Sequence, residues 1–418
     1  MQRAFVTRTG TSGLRGSALF IVEDLSVPLN RRVWQECVSI RDAGLEVTVV
    51  CPRGRTHDTE AFELLDGIAI HRYPLTQATG GILSYVREYA AAMWHTARLV
   101  RGLTRRCRFD VVHACNPPDL LLLTVWHLKR SGTRLIFDQH DLVPELYLSR
   151  FGRKPDLLHR VTLALERLTY RIADVVISTN ESYRRVALAR GSKSDDDVFV
   201  VRSAPDLTRF VRTPAAPELK RGKRFLLAYV GVMGPQDGVD HALRALAELR
   251  RRRTDWHAIF VGDGDVAADM RRLTTELGLD DVVQFTGRVP DDELLTTLST
   301  ADVCLAPDPR NPLNDVSTMN KIVEYMAVSR PIVSYDLKEA RASAGDAALY
   351  ATPNNPVAFA DCVDRLLDDP SRRERMGSAG HERLRLELSW QHSEQALLAA
   401  YERALDGPRR SSRAAIHD

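Results

Sequence analysis

The stretch from Val303 to Ser334 reads VCLAPDPRNPLNDVSTMNKIVEYMAVSRPIVS. Its first residues are apolar and predict a buried strand, and Ile332 to Ser334 predict a second strand after Pro331. Between them lie a polar loop rich in Pro, Asn and Asp and an amphipathic pattern that predicts a helix from about Met319 to Val328. Strand, loop, helix and strand in this order are typical of a parallel α/β sheet, in which ligands bind where loops leave the carboxyl ends of the strands.

The same alternation of strand and helix patterns runs along most of the chain in two series. The strands predicted in the first series are Ala18 to Val22, Glu46 to Cys51, Ile68 to Tyr73, Val111 to Ala114, Leu135 to Phe137 and Val175 to Ser178. Those predicted in the second are Phe225 to Val230, Trp256 to Val261, Val282 to Phe285, Val303 to Ala306, Pro331 to Ser334 and Ala348 to Tyr350. Each run is short and bounded by turn residues, which favours a strand over a buried helix segment, the alternative for any single run. The predicted fold class is α/β, with two Rossmann-like doubly wound domains that face each other across a cleft.

The length of the chain also indicates two domains, since a single core rarely grows beyond about 250–300 residues and this chain has 418. The segment from Pro205 to Arg221, which contains Pro, Ala and Lys, is typical of a linker. We predict a flexible tail at 1–16, an N-terminal domain at 17–207, a C-terminal domain at 208–388, a helix at 389–407 that returns to the N-terminal domain, and a disordered tail at 408–418.

Composition narrows the functional class. The 58 basic and 55 acidic residues give a formal charge of +3, which argues against a nucleic-acid partner. Six cysteines stand without paired spacing, so neither a disulfide framework nor a metal site is predicted. The apolar runs are much shorter than the ~20 residues of a membrane-spanning helix, and residues 1–16 lack the apolar core of a signal peptide. We therefore expect a cytoplasmic globular protein.

Two charged residues in the helix of the opening stretch point to a ligand. Lys321 lies in its first turn and Glu324 three residues later, so both side chains share one face of the helix. A helix N-terminus with a lysine suits a diphosphate, and a carboxylate can accept hydrogen bonds from two ribose hydroxyls. A solvated Lys–Glu pair is the alternative for this spacing taken alone.

The segment from Met319 to Val333, MNKIVEYMAVSRPIV, resembles the donor-binding helix of the GT-B retaining glycosyltransferases of family 4, whose pattern is PxKxxEYMAxGxPIV. The matching residues are Lys321, Glu324, Tyr325, Met326, Ala327 and Pro331. Similar stretches follow along the chain in the family's order, among them DVVHACNPPDLLLL, IFDQHDLVPE, ADVVISTNES, YVGVMGPQDGVDHALRAL, FVGDG and VVQFTGRVPDDEL. Together these ordered matches favour membership of this family.

The resemblance implies transfer of a sugar from a UDP or GDP sugar to an acceptor, with retention of configuration and without a metal or a further cofactor. The N-terminal domain would build the acceptor site, and the C-terminal domain would hold the donor. In the family, the residue at Glu324 binds the nucleotide ribose, and the histidine at His140 contacts the donor sugar. The other donor-site positions that the resemblance implies are Gly231, Gly234, Gly262, Gly264, Arg288 and Val289. Beside Lys321, we expect Thr318 and the backbone N–H groups of Met319 and Asn320 to hold the phosphates.

The chain departs from the family pattern at the position eight residues before Glu324. Many members carry an acidic residue there that touches the sugar hydroxyls, whereas this chain has Val316. We expect Asp315 or Asp308 to supply the missing hydrogen-bond acceptor.

A second departure removes two positive charges. Relatives often read GRxxxxKG after the first strand of the C-terminal domain, and here Val232 and Asp237 stand in place of Arg and Lys. Charge that develops on a leaving diphosphate needs compensation in a dry site. We expect Lys321 and either Arg31 or Arg32 to supply it, and a solvated helix start is the alternative for both arginines.

The partner and the exact chemistry have several alternatives. The segments Ser84 to Arg108 and Arg150 to Arg171 are basic and partly amphipathic, which indicates either peripheral contact with an anionic membrane or a solvated surface. A nucleotide-sugar epimerase or phosphorylase on the same fold, and a two-lobed sugar-binding protein without catalysis, are the alternative functions. Lipid-linked saccharides, soluble secondary metabolites and small thiols or polyols are the alternative acceptors.

Overall fold

The structure is a computed structural model that describes residues 13–54, 57–77, 81–152 and 154–406. Within them the chain forms an eight-stranded and a six-stranded β-sheet, and helices pack on both faces of each. The predicted fold class is therefore confirmed. Most of the tail predicted at 1–16, and the whole tail predicted at 408–418, lie outside the described residues.

The first sheet has the strand order β3-β4-β2-β1-β5-β6-β7-β8. Its strands are β1 (Gly16–Ile21), β2 (Leu45–Pro52), β3 (Phe62–Leu65), β4 (Ile68–Tyr73), β5 (Val111–Cys115), β6 (Arg134–Gln139), β7 (Val175–Ser178) and β8 (Val198–Val200). All pairs are parallel except β3 with β4. Because the order reverses between β1 and β5, the loops that follow these two strands diverge and leave a crevice at their carboxyl ends.

The second sheet is wholly parallel, with the order β11-β10-β9-β12-β13-β14. Its strands are β9 (Phe225–Val230), β10 (Trp256–Val261), β11 (Val283–Gly287), β12 (Val303–Ala306), β13 (Ile332–Tyr335) and β14 (Ala348–Ala351). Its order also reverses at β9 and β12, so this sheet offers a second crevice of the same kind.

The helices connect the strands or cover the sheets. They are α1 (Arg31–Asp42), α2 (Ile82–Leu103), α3 (Val143–Arg150), α4 (Leu157–Ile172), α5 (Glu181–Gly191), α6 (Val239–Arg250), α7 (Ala267–Glu276), α8 (Asp291–Thr300), α9 (Asn320–Ala327), α10 (Lys338–Ala344), α11 (Pro356–Asp368), α12 (Pro370–Glu387) and α13 (Trp390–Asp406). Two consecutive 3-10 helices, Asp119–Thr124 and Trp126–Ser131, replace an α-helix between β5 and β6.

The central strands are apolar on both sides, which explains why they read as continuous apolar runs. In β1, Ala18 and Phe20 face the core under α1 and α13, while Leu19 and Ile21 face the core under α2 and the 3-10 helices. Parallel strands covered on both faces need this composition, because neither face meets water. The second sheet is enclosed in the same way by one continuous core.

The last helix packs on the first sheet and not on the second. In α13, Leu397, Ala400, Tyr401 and Ala404 belong to the core of the N-terminal half, together with residues of β1 and α1. The chain therefore crosses between the two halves twice, once after β8 and once between α12 and α13.

The observed elements differ from the predicted ones mainly at the margins. Strand β1 begins at Gly16, the last residue of the predicted tail, and β11 extends to Gly287. Sequence patterns predict neither β3, whose side chains are exposed or half-buried, nor β8, which has three residues. No helix of the described chain has the length and apolarity needed to cross a membrane.

Candidate active site

A cleft of about 1540 Å³ lies between the carboxyl ends of the two sheets. Of the residues predicted for the site, the cleft is lined by Arg31, Arg32, His140, Thr318, Met319, Asn320 and Glu324. The predicted residues Gly231, Gly234, Gly262, Gly264, Arg288, Val289, Asp315 and Lys321 are not among those that line it. Seven of the predicted site residues therefore lie on the walls of the cleft, and the other predicted positions do not line it.

The N-terminus of α9 opens into the cleft without a capping side chain. Met319 is the N-cap residue and its side chain accepts no hydrogen bond from the first turn. Thr318, just before it, accepts a hydrogen bond at its Oγ1 from the Asn180 side chain at 3.0 Å. An uncapped helix start presents free backbone N–H groups and the positive end of the helix dipole, which suits an anion.

Glu324 lies one turn further along the same wall. It is half-buried, and burial raises its pKa to about 7, although Arg31 and Lys321 act in the opposite direction. A carboxyl with this pKa changes its charge near neutral pH, so its capacity to accept hydrogen bonds from hydroxyl groups depends on pH in the same range.

Lys321 lies beneath the wall of the cleft in a buried ion pair. Its ammonium group is 2.6 Å from the Asp308 carboxylate and 5.1 Å from the centre of the Tyr229 ring. Burial alone would lower the pKa of Lys321, but Asp308 and Asp237 outweigh it, so the pKa is raised and the lysine stays charged. Asp308, one of two residues expected to replace the missing sugar-binding acid, is thus already the partner of Lys321.

Asp237, which stands where relatives carry a lysine, holds its own loop. Its Oδ2 accepts the backbone N–H of Gly234 at 2.9 Å. Burial raises the pKa of Asp237 to about 6, and Lys321 counteracts part of that effect. Among the cations that act on Asp237, Lys321 therefore has the largest effect on its pKa.

The two arginines at the start of α1 have different surroundings. Arg31 is exposed, forms an ion pair with Asp291 of the C-terminal half, and lies over the Phe210 ring at 5.3 Å from its centre. Arg32 is 9% exposed and its guanidinium contacts Asp138 and Glu36, each at 3.0 Å. Arg32 thus lies buried at the base of the cleft, whereas the exposed Arg31 connects the two halves through Asp291.

Asp138 connects Arg32 to the predicted sugar-binding histidine. The Nε2 of His140 is 2.6 Å from the Asp138 carboxylate, and the His140 backbone N–H donates to Asn116 at 2.6 Å. Within the described residues the other ring nitrogen of His140, Nδ1, makes no hydrogen bond. The imidazole is therefore fixed from below and can present Nδ1 to a ligand.

The charges of Arg32, Asp138 and His140 determine the protonation states of Asp138 and His140. Burial acts to raise the pKa of Asp138, but Arg32 and His140 outweigh it and hold that pKa well below its usual range. Burial acts to lower the pKa of His140, but the ionised Asp138 beside it raises the pKa above the ordinary value. A permanent carboxylate thus sits directly beneath His140 and favours its protonated form.

Buried polar contacts extend from Asp138 through the first sheet to the last helix. His113 in β5 lies 3.4 Å from Asp138 and 3.7 Å from Glu36, and its Nδ1 is 3.0 Å from the hydroxyl of Tyr401 in α13. Glu36, His113, Cys115 and Asp138 are residue types that can bind a metal, and their ligand atoms lie within 4.8 Å of one another. The Arg32 guanidinium already contacts both carboxylates, so we interpret the group as a charge-balanced support for His140.

Val316 takes part in an apolar contact between the two halves. It packs with Leu313 against Leu142, Leu146 and Tyr183 of the N-terminal half. An acidic side chain at this place would enter an apolar environment, which explains why valine is accepted here. Asp315, the other residue expected to replace the acid, caps α10 by accepting the Lys338 backbone N–H at 3.1 Å and is 3.3 Å from Arg310.

The predicted glycines allow two loops to touch. Gly262 has a φ of +132°, and a Cβ built on it would lie 1.9 Å from the backbone oxygen of Gly231. A Cβ on Gly264 would lie 2.6 Å from the backbone oxygen of Met233. A Cβ on Gly231 would lie 3.3 Å from the Cε of Lys321, so this loop packs directly beside the lysine. Arg288 is exposed at the end of β11.

Sequence patterns assigned no role to three residues of the N-terminal wall. Asn116 follows β5 and holds the loop after β6 with its side chain, donating to the backbone oxygen of Asp141 at 2.8 Å. Asp24 and Asp141 both line the cleft, and burial raises the pKa of Asp141. Each of the three follows the carboxyl end of a central strand, and this position in the pattern could have identified them.

Known proteins with similar sequences and folds match almost all of this architecture. A profile described as a glycosyl transferase 4-like domain matches residues 29–203, and one described as glycosyl transferases group 1 matches residues 224–369. The fold, the cleft and these matches define the class of GT-B glycosyltransferases. The chain belongs to the GT4-type glycosyltransferases of this class.

Individual relatives support the same family. The 2-deoxystreptamine glucosyltransferase of Streptomyces kanamyceticus is 31% identical over 257 residues, which are 59% of this chain and 65% of that protein. The match therefore spans somewhat less than two-thirds of the relative. Sucrose-phosphate synthase from Thermosynechococcus elongatus shares the fold with a TM-score of 0.76 at 19% identity, covering 93% of this chain and 98% of its own. HepE from Anabaena, solved with UDP and glucose, has a TM-score of 0.70 at 15% identity and covers 93% and 99%.

Proposed function

We propose that the protein transfers a sugar from a UDP or GDP sugar to an acceptor nucleophile with retention of the anomeric configuration. The observation that carries this proposal is the uncapped start of α9, which opens into the cleft one turn before Glu324. Phosphates bind at such helix starts, and a carboxylate one turn away can accept the hydroxyl groups of a ribose. HepE, a fold neighbour, was solved with UDP and glucose, which supports a uridine nucleotide as the donor.

In this proposal the sugar lies between the two walls of the cleft. The diphosphate contacts Thr318 and the backbone of Met319 and Asn320, and Lys321 lies below as the nearest fixed cation. His140 reaches the sugar from the opposite wall with its free Nδ1. In a retaining transfer the leaving phosphate can accept the acceptor proton, so no side chain has to form a covalent bond with the sugar.

The acceptor enters from the N-terminal wall, where Asp24 and Asp141 line the cleft. Two carboxyl groups at this place suit an acceptor that offers several hydroxyl or amino groups as hydrogen-bond donors. The glucosyltransferase relative named above acts on 2-deoxystreptamine according to its name, and this supports a polyhydroxylated acceptor.

The donor is identified by measuring thermal stability in the presence of UDP, GDP, ADP and dTDP. A nucleotide that binds the folded protein stabilises it by about 2.7 kcal/mol at a concentration of 100 times its Kd. We expect UDP or GDP to raise the Tm most, and equal or absent shifts for all four would contradict the donor assignment.

The reaction class follows from incubation of the protein with the matching nucleotide sugar alone. Slow release of free sugar and nucleoside diphosphate in the presence of EDTA supports a metal-independent transferase. An epimerised nucleotide sugar would instead indicate an epimerase, and no turnover with or without polyol acceptors would leave a binding protein.

The role of Lys321 as the replacement cation is tested with two variants. We expect Lys321→Ala to lower donor turnover about a hundredfold, because a fixed charge in a dry site contributes on this scale. It also leaves Asp308 buried and unpaired, which costs about 3 kcal/mol of stability. The double variant with Asp308→Asn removes that unpaired charge. Turnover that recovers in the double variant would show that Lys321 only balances Asp308.

A further inference from the structure

One face of the N-terminal half carries two amphipathic helices, α2 and α4, with a 3-10 helix between them. Helices α2 and α4 both contact the 3-10 helix Asp119–Thr124, which lies between them on the same side of the sheet. The contact with α4 includes a hydrogen bond from the Thr169 hydroxyl to the backbone oxygen of Asp119 at 2.9 Å. The second 3-10 helix, Trp126–Ser131, continues this layer. We call the outward surface of these elements the α2/α4 face.

The α2/α4 face exposes an unusual number of large apolar side chains. Eight of the fifteen exposed large hydrophobic residues in the described chain belong to it. They are Leu83, Val86, Trp94, Trp126, Leu157, Leu158, Val161 and Leu168. Leu157 is 77% exposed, Leu83 63% and Trp94 58%. Clustered exposed apolar residues of this kind mark an interaction surface, whereas single ones need no explanation.

The apolar residues follow the helical period, so they form stripes. In α4 the exposed positions include Leu157, Val161 and Leu168, spaced so that they share one side of the helix. In α2 the exposed Leu83, Ala90 and Trp94 form a comparable stripe. The opposite sides of both helices pack into the core of the sheet. The stripes are therefore not part of the protein's own core.

The charge on this face has one sign. Its exposed charged side chains are Arg87, Arg98, Arg101, Arg130, Arg160, Arg167 and Arg171. Among the described residues of α2, α4 and the second 3-10 helix, no carboxylate is exposed, because Glu88 is half-buried and Glu166 is buried. Arg98 lies over the Trp94 ring at 5.6 Å and Arg130 over the Trp126 ring at 5.9 Å from the ring centres.

We propose that the α2/α4 face binds a membrane surface rich in anionic phospholipids. Apolar stripes enter the boundary between headgroups and acyl chains, while flanking arginines contact the lipid phosphates. Tryptophan is favoured at this boundary because its ring is apolar and its N–H is polar. The paired Trp and Arg side chains on two neighbouring elements provide both kinds of contact within one layer.

Two other partners fit the same surface less well. A second copy of this chain would bring two sets of arginines together without an exposed carboxylate between them, and like charges at an interface oppose association. Nucleic acid would account for the arginines, because phosphate contacts dominate its binding, but not for exposed leucines such as Leu157 and Leu83. An anionic lipid surface uses both features.

The placement of this face relative to the cleft gives the proposal a functional meaning. Helices α2 and α4 run antiparallel to the strands, so they start at the edge of the sheet where the cleft lies. Tyr89 of α2 lines the cleft, and the exposed Leu83 and Leu157 lie at the starts of their helices. Docking through this face would hold the acceptor side of the cleft near the membrane. The proposal concerns the surface only and does not depend on the identity of the donor.

Flotation of the full chain with lipid vesicles tests the proposal. Vesicles of phosphatidylcholine are compared with vesicles that contain 30 mol% phosphatidylglycerol, a composition of roughly the charge of an anionic bilayer. We expect binding to the anionic vesicles that weakens as salt rises, since screening shortens the range of the arginine charges. Absence of binding, or equal binding to both kinds of vesicle at all salt concentrations, would contradict the proposal.

Matched variants locate the binding surface. Arg98→Gln with Arg101→Gln removes two charges from the face and should weaken anionic-vesicle binding about thirtyfold. Arg251→Gln with Arg272→Gln removes two exposed charges from the C-terminal half and should have no effect. The double variant Leu157→Ser/Val161→Ser removes two apolar side chains from the face and should also weaken binding. Its control is Val357→Ser/Leu386→Ser in the C-terminal half, which should have no effect. An equal loss in the control pairs would overturn the assignment.

Two further measurements separate this surface from its competitors. Light scattering reports a second copy: a dimer that the Leu157→Ser/Val161→Ser variant dissociates would replace the proposal by self-association. The nucleotide-induced shift in Tm reports the donor site, and we expect it to be unchanged in all four variants. Loss of vesicle binding with an intact nucleotide shift therefore distinguishes this inference from the proposed transfer reaction.

Discussion

At the scale of single residues, the ribose-binding role proposed for Glu324 brings a sensitivity to pH. Burial raises its pKa to about 7, well above the ordinary value for a glutamic acid. Only the ionised carboxylate can accept hydrogen bonds at both oxygens from two ribose hydroxyls. Below the pKa one of its oxygens carries a proton, and the carboxyl group loses acceptor capacity.

We predict that nucleotide affinity rises between pH 6 and pH 8 and that Glu324→Gln weakens this dependence. The variant should bind UDP about tenfold or more weakly at pH 8, because hydrogen bonds to a charged group contribute about 1.5–3 kcal/mol. Isothermal titration at several pH values measures both effects. The phosphates of UDP titrate in the same way with the parent protein and with the variant. The difference between their curves of affinity against pH therefore reports the ionisation of Glu324. Parallel curves would contradict the assignment.

The same substitution has an opposite effect on the ligand-free protein. A carboxyl whose pKa is raised on folding stabilises the folded state below its unfolded pKa of 4.5 and loses that contribution as the pH rises through about 7. Glu324→Gln cannot ionise and avoids this loss. We therefore expect the variant to have a higher Tm than the parent at pH 8 and a similar Tm at pH 5. A lower Tm at pH 8 would show that the carboxylate has a stabilising partner.

Asp138 is the residue on which the geometry of His140 depends. We predict that Asp138→Asn lowers the pKa of His140, because the carboxylate that raises it is removed. Turnover should fall by as much as about a hundredfold, since small displacements of a positioned group have effects of this size. The pKa is followed by NMR of the His140 ring, and turnover by release of nucleotide. Stability should fall by about 3 kcal/mol because Arg32 loses a buried partner.

A matched variant separates positioning from stability. Tyr401→Phe removes the hydrogen bond to His113 at the far end of the same group and leaves Asp138 and His140 in contact. We expect it to cost about 1–3 kcal/mol of stability through the unpaired His113 nitrogen. The pKa of His140 and the pH profile of turnover should not move. A shift in both variants would mean that the whole group responds as one unit.

At the scale of elements, two loops of the C-terminal half depend on glycine for different reasons. Gly262 combines a φ of +132° with a contact in which a Cβ would lie 1.9 Å from the backbone oxygen of Gly231. Gly278, after α7, has a φ of +66°, and a Cβ added to it would meet no heavy atom within 4 Å. At Gly262 a side chain would both strain the backbone and clash with the neighbouring loop. At Gly278 a side chain would only strain the backbone.

We predict that Gly262→Ala lowers both stability and nucleotide affinity, whereas Gly278→Ala lowers stability only. Backbone strain at a positive φ costs about 1–3 kcal/mol, and the clash at Gly262 adds to it by displacing the loop that contacts Lys321. Denaturant unfolding gives the free energy of unfolding, and titration with UDP gives the affinity. Equal UDP affinities in the two variants would show that the loop contact does not shape the donor site.

Strand patterns predicted most of the fold because the strands of both sheets are buried on two faces. Such strands read as short apolar runs, and the predicted limits of Val175 to Ser178, Phe225 to Val230 and Val303 to Ala306 agree with the structure. Strand β3 carries an alternating, half-exposed pattern at the sheet edge, and β8 follows an Asp-rich 3-10 helix. Edge strands are determined by pairing with a neighbour, which local sequence does not encode.

The candidate site was predictable in part. Glu324 and His140 follow motifs, and both line the cleft. Arg32 contacts Asp138, which is more than 100 positions away, and Glu36, which is one helical turn away. No local sequence pattern distinguishes Arg32 from Arg31. Likewise, Val316 is explained only by its contact with the other half of the chain. The surroundings of Arg32 and Val316 depend on tertiary packing, which local sequence patterns do not reveal.

At the scale of the whole molecule, two groups of contacts join the halves, and they differ in how buried they are. One group is buried or half-buried: Ser182 donates to Glu339 at 2.6 Å, and the hydroxyls of Tyr183 and Ser317 are 2.8 Å apart. The other group is more exposed and consists of ion pairs, including Arg150 with Asp265. The buried contacts hold the halves together, and the exposed ion pairs can break and re-form with little cost.

We therefore expect the ion pair of Arg150 and Asp265 to influence how closed the cleft is. Arg150 ends α3 and its guanidinium lies 4.6 Å from the centre of the Tyr85 ring, while Asp265 follows β10 in the C-terminal half. An exposed ion pair contributes up to about 1 kcal/mol, which corresponds to about a fivefold change in the ratio of closed to open molecules. In the proposed transfer reaction, closure would align the donor with the acceptor and exclude water, so we expect the chemical step to depend on this ratio more than donor binding does.

We predict that Arg150→Ala and Asp265→Ala each lower transfer or donor hydrolysis by up to about fivefold and leave the Kd for UDP within about twofold. The double variant should be no worse than either single one, because both remove the same contact. Arg252→Ala breaks an exposed ion pair with Asp361 inside the C-terminal half and should change neither quantity. Small-angle scattering should report a larger radius of gyration for the two cleft variants only. Additive losses in the double variant, or an unchanged radius, would mean that Arg150 acts directly on the substrate and not through closure.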